Sequence, residues 1–402
     1  MKRLWVLIAV CFVDMIGLMM IAPLLTPYAR RFGAPDWTIG VLFSSFAIAQ
    51  LLSSPLWGRV SDRYGRRPAL LAGLAGSFFA YVIFGFANSL WLLFVCRSVQ
   101  GLGGGTTGVA QAYVADTMEP SERAKALGWL SAATSAGVSI GAVLGSLASN
   151  LGSSGPGLIA AGLVLINVVF AWRWLPESRV QSPKASTPSG RVVVPQERPI
   201  LHALWEVIRH PGRPVSEMVW IYAVGMLAQN VVIGVMSLYL IDTFSFTEKN
   251  VGFVFTVFSV VGFVLRIGPV GWLNGAIGEL RTLRVGASML FVGLLLLPIP
   301  KVFSVFVVCL LLVPGGNAFL FPATSSLVSQ RSEQHELGLT MGVQQTFRGI
   351  MAVIGPIGAT SIYQAFGHGV PFWIAAFIVA IALGLSWRVR HEPPVPAVAR
   401  SS

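Results

Sequence analysis

The sequence carries little charge for its length. Asp, Glu, Lys and Arg make up only 11% of its 402 residues, whereas 54% are hydrophobic, and the mean hydropathy is +0.73. A soluble domain covers its apolar core with charged side chains, so this composition excludes an ordinary soluble globular protein. It indicates a polytopic membrane protein.

Cysteine and histidine are also scarce. Cys11, Cys96 and Cys309 lie singly in separate apolar runs, and the five histidines fall in predicted loops or in the central linker. This distribution predicts neither a disulfide framework nor a metal site, and no cofactor is expected. The H-E-x-x-H motif of metalloproteases and the phosphate-binding glycine loops are absent from the sequence too, so an enzyme is not expected.

Twelve apolar runs are long enough to cross a bilayer, for which about 20 residues are needed. The first run continues past the length of a secretory signal and is not followed by a small-x-small cleavage site, so it is predicted to be a retained span. The predicted spans centre near Val13, Ala47, Phe79, Gly104, Ala136, Leu165, Asn230, Val260, Leu290, Asn317, Ile350 and Phe377.

A polar stretch divides the chain into two halves of six predicted spans each. Residues 177–214 are rich in Pro, Ser and charge and contain one amphipathic piece, "LHALWEVIRH". We therefore predict a first bundle at 1–176, a cytoplasmic linker at 177–214, and a second bundle with a short cytoplasmic tail at 215–402. The predicted fold class is all-α, with twelve transmembrane helices in two six-helix bundles.

Basic residues are concentrated at one set of loops. That set, with the two ends of the chain, holds Lys2, Arg3, Arg59, Arg63, Arg66, Arg67, Arg123, Lys125, Arg281, Arg284, Arg331, Arg388 and Arg390. The alternate loops hold mainly Arg30, Arg31, Lys249 and Lys301. The positive-inside rule therefore places both termini in the cytoplasm. The formal net charge of +12 reflects this topology, and no nucleic-acid partner is predicted.

Glycines recur at corresponding positions of the two halves. Three of them return at one constant offset, namely Gly58, Gly65 and Gly73 as Gly271, Gly278 and Gly286. Two more return at an offset one residue longer, namely Gly128 and Gly141 as Gly342 and Gly355. Two halves related by a repeat and joined by a linker are typical of transporters that rock around a central site.

The loop between the second and third predicted spans reads "GRVSDRYGRRP", and the fourth span contains "RSVQGLGGG". Both resemble signatures of the major facilitator superfamily, and the resemblance extends over essentially the whole chain. Within that family the sequence most resembles the twelve-span drug:proton antiporters that include the tetracycline exporters. Ala142 in span 5 stands where those exporters carry a proline, which leaves the direction of transport open. The matching loop residues are Gly58, Asp62, Arg63, Gly65, Arg66 and Arg67.

The resemblance implies that this loop forms a cytoplasmic gate. Asp62 can accept hydrogen bonds from a helix start, and Arg66 and Arg67 are predicted to reach Asp116 at the inner end of span 4. The alternative is a simple basic anchor, which needs neither the acid nor fixed glycines. The equivalent loop of the second half lacks the Asp-Arg pair, so closure is expected to depend on the first half.

Asp14 is the only acid near the middle of any predicted span. A charged side chain at that depth costs at least about 2.5 kcal/mol, so it usually has a function. Arg97 in span 4 is predicted to lie at a similar depth, where the two could share one cavity. We predict that Asp14 and Arg97 couple transport to protons; the alternative is a static pair that holds two helices together.

Other polar side chains inside the spans are candidates for a substrate cavity. Arg348 favours either an anionic or carbonyl-bearing substrate, or a clamp on backbone carbonyls. Arg266, near the inner end of span 8, is expected to extend toward the membrane surface. The amide candidates, any of which could instead join two helices, are Gln50, Gln229, Asn230, Asn317 and Gln344.

These features predict a secondary active transporter that works by alternating access as a monomer in the bacterial inner membrane. The favoured function is proton-coupled efflux of amphipathic small molecules or drugs, with protons, lipid and a small-molecule substrate as partners. The alternative is a proton-coupled or facilitated transporter of a metabolite. A membrane enzyme or a scaffold has less support.

Overall fold

A computed structural model describes residues 2–178, 200–332 and 336–388, and the secondary structure within these ranges is helical. Most of the predicted linker, at 179–199, and Arg390 lie outside the described residues.

The first half contains helices at each of its six predicted spans, which we number in chain order. Span 1 comprises Lys2–Ile21, a short 3-10 turn at Ala22–Leu24, and Leu25–Arg31. The others are Asp36–Tyr64 (span 2), Arg66–Gly85 (span 3), Leu90–Gly103 with Thr106–Thr117 (span 4), Pro120–Ala148 (span 5) and Gly155–Trp174 (span 6).

The second half repeats this organisation after the helix Ile200–Arg209. Its spans are Pro214–Phe244 (span 7), Glu248–Ile267 with Pro269–Ile277 (span 8), Glu279–Leu296 (span 9), Phe303–Arg331 (span 10), Leu337–Phe366 (span 11) and Val370–Arg388 (span 12).

Within the described ranges, ten helices are long and apolar enough to cross a membrane. Spans 4 and 9 are not among these ten helices, and each has a physical reason for this. Span 4 breaks at Gly104, whose carbonyl accepts a hydrogen bond of 3.0 Å from Gln50 Nε2. Span 9 is short and carries Glu279, Arg281 and Arg284 in its first two turns.

The loops lie at two faces of the molecule. We call one the terminal face, which holds the start of span 1 and the loops at Gly65, Met118, Gly278 and Ser332. The opposite face holds the loops at Gly33, Ala87, Gly152, Ser245, Lys301 and Gly367.

Close packing between spans depends on glycine. In span 5, a Cβ added to Gly137, Gly141 or Gly145 would collide with the carbonyl oxygens of Phe12, Ile16 and Met20 in turn. Span 1 therefore lies directly on the backbone of span 5, which lets two helices approach closely in a membrane. Between the halves, span 2 packs on span 11 and span 5 packs on span 8.

The glycine repeat corresponds to repeated backbone geometry. Gly65 and Gly278 each end a helix with a positive φ, +104° and +82° respectively. Gly73 packs on span 4 at the carbonyl of Gly103, and Gly286 packs on span 10 at the carbonyl of Gly316. Equivalent glycines of the two halves therefore perform equivalent roles.

The helix Ile200–Arg209 confirms the amphipathic piece that was predicted from "LHALWEVIRH". Ala203, Leu204 and Val207 pack against the second half, whereas Trp205 and Ile208 remain exposed. The Val207 carbonyl also accepts a hydrogen bond from Trp220 Nε1 at 3.4 Å. The helix Ile200–Arg209 thus packs over the start of span 7 at the terminal face.

Candidate transport site

The signature loop is shorter than its sequence suggests. Span 2 continues as a helix through Gly58, Asp62 and Arg63 to Tyr64, and only Gly65 leaves helical geometry. Gly58, which the sequence placed in the loop between spans 2 and 3, is instead helical, with nothing within 4 Å of an added Cβ. Gly65, with its positive φ, is the glycine that the turn requires.

Arg66 is the centre of an ion-pair network at the terminal face. Its Nε donates to Asp116 Oδ2 at 2.9 Å, as predicted, and its Nη1 lies 2.8 Å from Asp62 Oδ1. Arg67 instead donates to the Trp172 carbonyl, and Arg63 lies over the ring of its neighbour Tyr64. All of these groups belong to the first half, so this arrangement stabilises that half at its terminal face.

Glu177 is a part of this network that sequence reasoning missed. Its two carboxylate oxygens accept from the backbone N–H of Arg66 at 2.9 Å and of Arg67 at 3.1 Å. The N-terminus of span 3 thus has an acidic cap, but Glu177 provides it and Asp62 does not. Asp62 is exposed and pairs with the Arg66 side chain. The position of Glu177 at the edge of a polar stretch gave no sequence signal.

Asp14 is buried within the first half, with 8% of its surface exposed. Thr106, at the start of the second part of span 4, donates to Asp14 Oδ2 at 3.4 Å. Ser77 of span 3 is a second hydroxyl partner. In the described part of the chain no ion pair joins Asp14 to Arg97, so a static pair between the two is absent from this arrangement. Neutral hydroxyl groups surround the carboxyl group instead.

Arg97 is connected to Asp14 through two intermediate side chains. Its Nη1 donates to Gln100 Oε1, whose Nε2 donates to the Tyr81 hydroxyl at 3.1 Å. The Tyr81 phenol is in turn close enough to Asp14 to interact electrostatically. Arg97, Gln100 and Tyr81 are all buried, and Arg97 also lies 4.4 Å from the ring centre of Phe46. A buried polar path therefore links spans 1, 3 and 4, with hydrogen bonds from Arg97 to Tyr81 and an electrostatic interaction from Tyr81 to Asp14.

Several predicted cavity amides take part in helix contacts. Gln50 bonds to the Gly104 carbonyl, Asn230 Nδ2 donates to Met226 O at 2.8 Å, and Gln344 Nε2 donates to Ser325 Oγ at 3.2 Å. Gln229 is half-buried in span 7. Asn317 differs, since its amide is 3% exposed and neither polar atom has a hydrogen-bond partner in the described structure.

Two arginines of the second half, Arg266 and Arg348, lie within its spans. Arg266 lies deeper in its span than the sequence predicted. Arg266 was placed near the inner end of span 8, but the helix continues after Gly268 through Pro269–Ile277. Arg266 therefore lies well inside the span, where it interacts with Tyr222 and with Arg348. Arg348 remains exposed in span 11 and donates to Gln345 Oε1 at 3.3 Å.

A charged cluster joins the two halves at the opposite face. Arg30 at the end of span 1 donates to both oxygens of Asp242 in span 7, at 2.5 and 2.9 Å, and to Asp36 at 3.0 Å. Tyr363 of span 11 donates to Asp242 Oδ2 at 2.7 Å, and its ring stacks on His368. Bidentate pairing of this kind is geometrically specific. We call this set the Arg30–Asp242 clasp.

Further hydrogen bonds between the halves lie near the clasp. Gln364 Oε1 accepts from the Trp37 N–H at 3.1 Å, and Ser237 Oγ donates to the Pro23 carbonyl at 3.3 Å. Bonds that belong to neither half alone therefore join the two halves at the opposite face. From the sequence, Arg30 was expected only to be one of the few basic residues on that side, and its pairing with Asp242 was not predicted.

The family of the chain follows from these two halves and their signature residues. A family model described as Major Facilitator Superfamily matches residues 7–233 and 218–401. The chain belongs to the major facilitator superfamily. Its fold is accordingly the all-α membrane fold of that family, and the protein is an integral membrane transporter of small molecules.

Individual relatives agree with this assignment. The class B tetracycline resistance protein of Escherichia coli is 28% identical, with 96% of both chains covered. Multidrug resistance protein 2 of Bacillus subtilis is also 28% identical, over 96% of this chain and 95% of the relative. The crystal structure of the human organic anion transporter MFSD10 matches with a TM-score of 0.70 at 20% identity, over 96% of this chain and 99% of that one, which shows the fold alone.

These relatives are transporters, and the protein is a transporter and not an enzyme. One short run of this transporter, Gly137 to Gly141, has the G-x-S-x-G spacing of a hydrolase nucleophile. That motif requires a sharp strand-to-helix turn. Here it lies inside span 5, where Ser139 Oγ donates to the Ser135 carbonyl at 3.1 Å. Its glycines serve helix packing.

Proposed function

We propose that this transporter exports amphipathic small molecules from the cytoplasm in exchange for protons. Its similarity to tetracycline and multidrug resistance proteins supports this choice of substrate class and direction. The terminal face is then the cytoplasmic one, the membrane is the bacterial inner membrane, and the protein acts as a monomer. The bundle and linker boundaries at 1–176, 177–214 and 215–402 belong to the same proposal.

The single observation that carries proton coupling is the environment of Asp14. The carboxyl group is buried in a span and is surrounded by Thr106 and Ser77, with no cation paired to it among the described residues. Hydroxyl groups can donate to a carboxylate and can also accept from a protonated carboxyl. Such a site tolerates both states, which a proton carrier needs and a fixed ion pair resists.

Arg97 supports this proposal by its position at the other end of the polar path. Gln100 and Tyr81 lie between its guanidinium and Asp14. A hydrogen-bonded network in a low-dielectric interior responds as a unit, because each bond polarises the next. A change of charge at Asp14 is therefore felt by Arg97 without direct contact, and in this way spans 1 and 4 take part in one coupling step.

Alternating access follows from the two ends of the molecule. The Arg30–Asp242 clasp closes the opposite face, so in this arrangement substrate enters from the terminal face. Export requires the clasp to open, and the predicted gate of Gly58, Asp62, Arg63, Gly65, Arg66, Arg67 and Asp116 then stabilises closure at the terminal face. Because the bonds of Arg66 to Asp62 and Asp116 already lie within the first half in this arrangement, closure of the terminal face requires new contacts between this gate and the second half.

Transport by purified protein in proteoliposomes tests this proposal. Tetracycline, the drug in the names of several relatives, is a suitable first probe, with an imposed pH gradient as the only driving force. A lumen acidified relative to the bath should drive accumulation of the probe by protein in inverted orientation, and the accumulation should collapse when a protonophore is added. Uptake that equilibrates the probe without accumulation, at every imposed pH difference, would support the facilitator alternative instead.

A further inference from the structure

Two arginines of the second half lie at the same depth. Arg348 follows the start of span 11 at Leu337 by about eleven residues, and Arg266 precedes the terminal-face end of span 8 at Ile277 by about as many. At a rise of 1.5 Å per residue, both lie roughly 16 Å from the terminal face. They are close to the middle of a bilayer about 30 Å thick.

The two side chains are also near enough to each other to interact electrostatically. The guanidinium groups interact electrostatically with each other, and both interact with the phenol of Tyr222 in span 7. Three spans therefore contribute polar groups to one place. Leu51 of span 2 lies against Gly349, the residue after Arg348, so span 11 meets the first half at this level.

In the described part of the chain, neither Arg266 nor Arg348 forms an ion pair. The hydrogen bond of Arg348 goes to a neutral amide, that of Gln345. The described acids of the second half all lie near the ends of its spans; they are Glu217, Asp242, Glu248, Glu279 and Glu336. Both arginine side chains keep exposed surface.

Two cations at mid-membrane depth raise the free energy of the protein unless an anion binds between them. Both side chains are exposed, yet they lie deep in membrane spans, where a cation is expensive, and two like charges near each other add repulsion. A helix clamp needs only one arginine and a set of backbone carbonyls. An anion between the two guanidinium groups would relieve both costs, because Arg binds planar oxyanions through paired hydrogen bonds.

The surroundings favour an anion with an apolar body. The ring centres of Tyr222 and Phe321 lie 5.3 Å apart, which provides an aromatic surface beside the charges. One turn deeper in span 10, on the side of Phe321, the buried amide of Asn317 has no partner in the described structure. A substrate that reached this amide would supply the hydrogen bonds that it lacks.

We infer that Arg266 and Arg348 form an anion-binding subsite of the transport cavity, which holds the carboxylate of an aromatic or amphipathic organic acid against Tyr222 and Phe321. The inference rests on the proposed function only in taking the cavity as the substrate path. It narrows the substrate class from amphipathic molecules in general to organic anions.

A matched pair of probes tests the subsite directly. Naphthoate and naphthamide have the same aromatic body and differ in the charge of one group. Equilibrium dialysis with purified protein should show naphthoate binding at least tenfold more tightly than naphthamide. Arg266→Gln and Arg348→Gln should each reduce naphthoate affinity by about tenfold or more, as expected for loss of a charged hydrogen bond, and should leave naphthamide affinity unchanged.

The matched control is Arg281→Gln, which removes an exposed arginine of span 9 and should change neither affinity. Arg348→Lys keeps the charge and should retain part of the preference, which shows that the variant site is folded. Equal affinity for the two probes in the parent protein, or a naphthoate preference that survives in the double Gln variant, would overturn the inference. The binding assay uses no gradient, so its outcome is independent of whether a pH gradient drives transport in proteoliposomes.

Discussion

Asp14 is held by two hydroxyl groups and reached by a polar path from Arg97. Its position inside a span could be predicted from the sequence, and a functional role for it stays a prediction, which rests on an acid in the middle of an apolar run being rare and costly. Its actual partners could not be predicted, since Ser77 of span 3 and Thr106 of span 4 are ordinary small polar residues of their spans. Small polar side chains occur throughout such spans, and only the packing selects the two that meet Asp14.

Asp14→Asn is the residue-scale test of coupling. The amide keeps the shape of the carboxyl group and some of its hydrogen bonds, but it cannot release a proton. We expect accumulation against a gradient to be lost, while substrate binding and downhill exchange continue. Transport in proteoliposomes with and without a pH gradient measures both.

Asp14→Glu is the companion variant, because it keeps a group that can be protonated and should retain part of the driven transport. Uphill export by Asp14→Asn at the rate of the parent would show that the proton travels by another route.

At the scale of elements, the connection between spans 2 and 3 depends on one backbone conformation. Gly65 has φ +104° and ψ 158°, a region that is essentially restricted to glycine. An added Cβ would also meet the carboxylate of Glu177, which caps span 3. The connection therefore contains two separate reasons to exclude a larger residue.

Gly65→Ala should lower stability by about 1–3 kcal/mol for the backbone conformation, plus the cost of displacing Glu177. Gly278→Ala, at φ +82° with nothing within 4 Å, should show the backbone cost alone. Gly58→Ala should be neutral or slightly stabilising, because Ala favours a helix interior. Thermal unfolding of the three variants in detergent gives the comparison. Equal effects at Gly58 and Gly65 would contradict it.

Asp62→Asn tests whether the signature loop is a gate or an anchor. The substitution removes the charge that pairs with Arg66 and, in the proposed gate, the charge that stabilises closure at the terminal face. Transport should fall while the amount of protein in the membrane is unchanged. Gly275→Asp at the equivalent loop of the second half should not restore it.

Normal transport by Asp62→Asn would leave the loop with an anchoring role only. Protein abundance in the membrane, measured beside the rate, separates loss of function from loss of protein.

Spans and caps differ in how well the sequence predicts them. The twelve apolar runs coincide with helices because hydropathy over about 20 residues is a strong signal. The break of span 4 at Gly104 and the cap from Glu177 depend instead on contacts between residues far apart in the chain. The cap from Glu177 has no local pattern, whereas the break of span 4 falls in the glycine run "GLGGG", which was interpreted only as part of a family signature. The predicted Arg66–Asp116 pair was found because both residues belong to terminal-face helix ends.

At the scale of the whole molecule, we propose that the Arg30–Asp242 clasp holds the opposite face closed. Arg30→Gln or Asp242→Asn should shift the population toward opening at the opposite face by about 1.5–3 kcal/mol, or roughly tenfold to a hundredfold. Ser237, which is fully buried and bonds to Pro23 across the halves, is a suitable place for a cysteine reporter.

In a background without the three native cysteines, labelling of that reporter by a membrane-impermeant thiol reagent measures the shift. Lys301→Gln removes an exposed cation from the same face and should leave the labelling rate as in the parent. An unchanged rate in both clasp variants would show that closure of this face depends on apolar packing.

The orientation of the molecule has its own test. A reporter inserted within 182–190, which lies outside the described residues, should be cytoplasmic. One at Gly152, on the opposite face, should be external. The reverse result would place the clasp on the cytoplasmic side and exchange the roles of the two gates.

The repeated geometry at Gly65 and Gly278 has a consequence for the history of the protein. In each half, the residue after the glycine contacts the next span. Arg66 forms an ion pair with Asp116 of span 4, and Glu279 accepts a hydrogen bond from Ser326 of span 10. The backbone conformation is the same, yet the charge at the equivalent position is reversed. A tandem duplication followed by divergence would leave this trace, with the turn preserved in both copies and the electrostatics free to specialise in each.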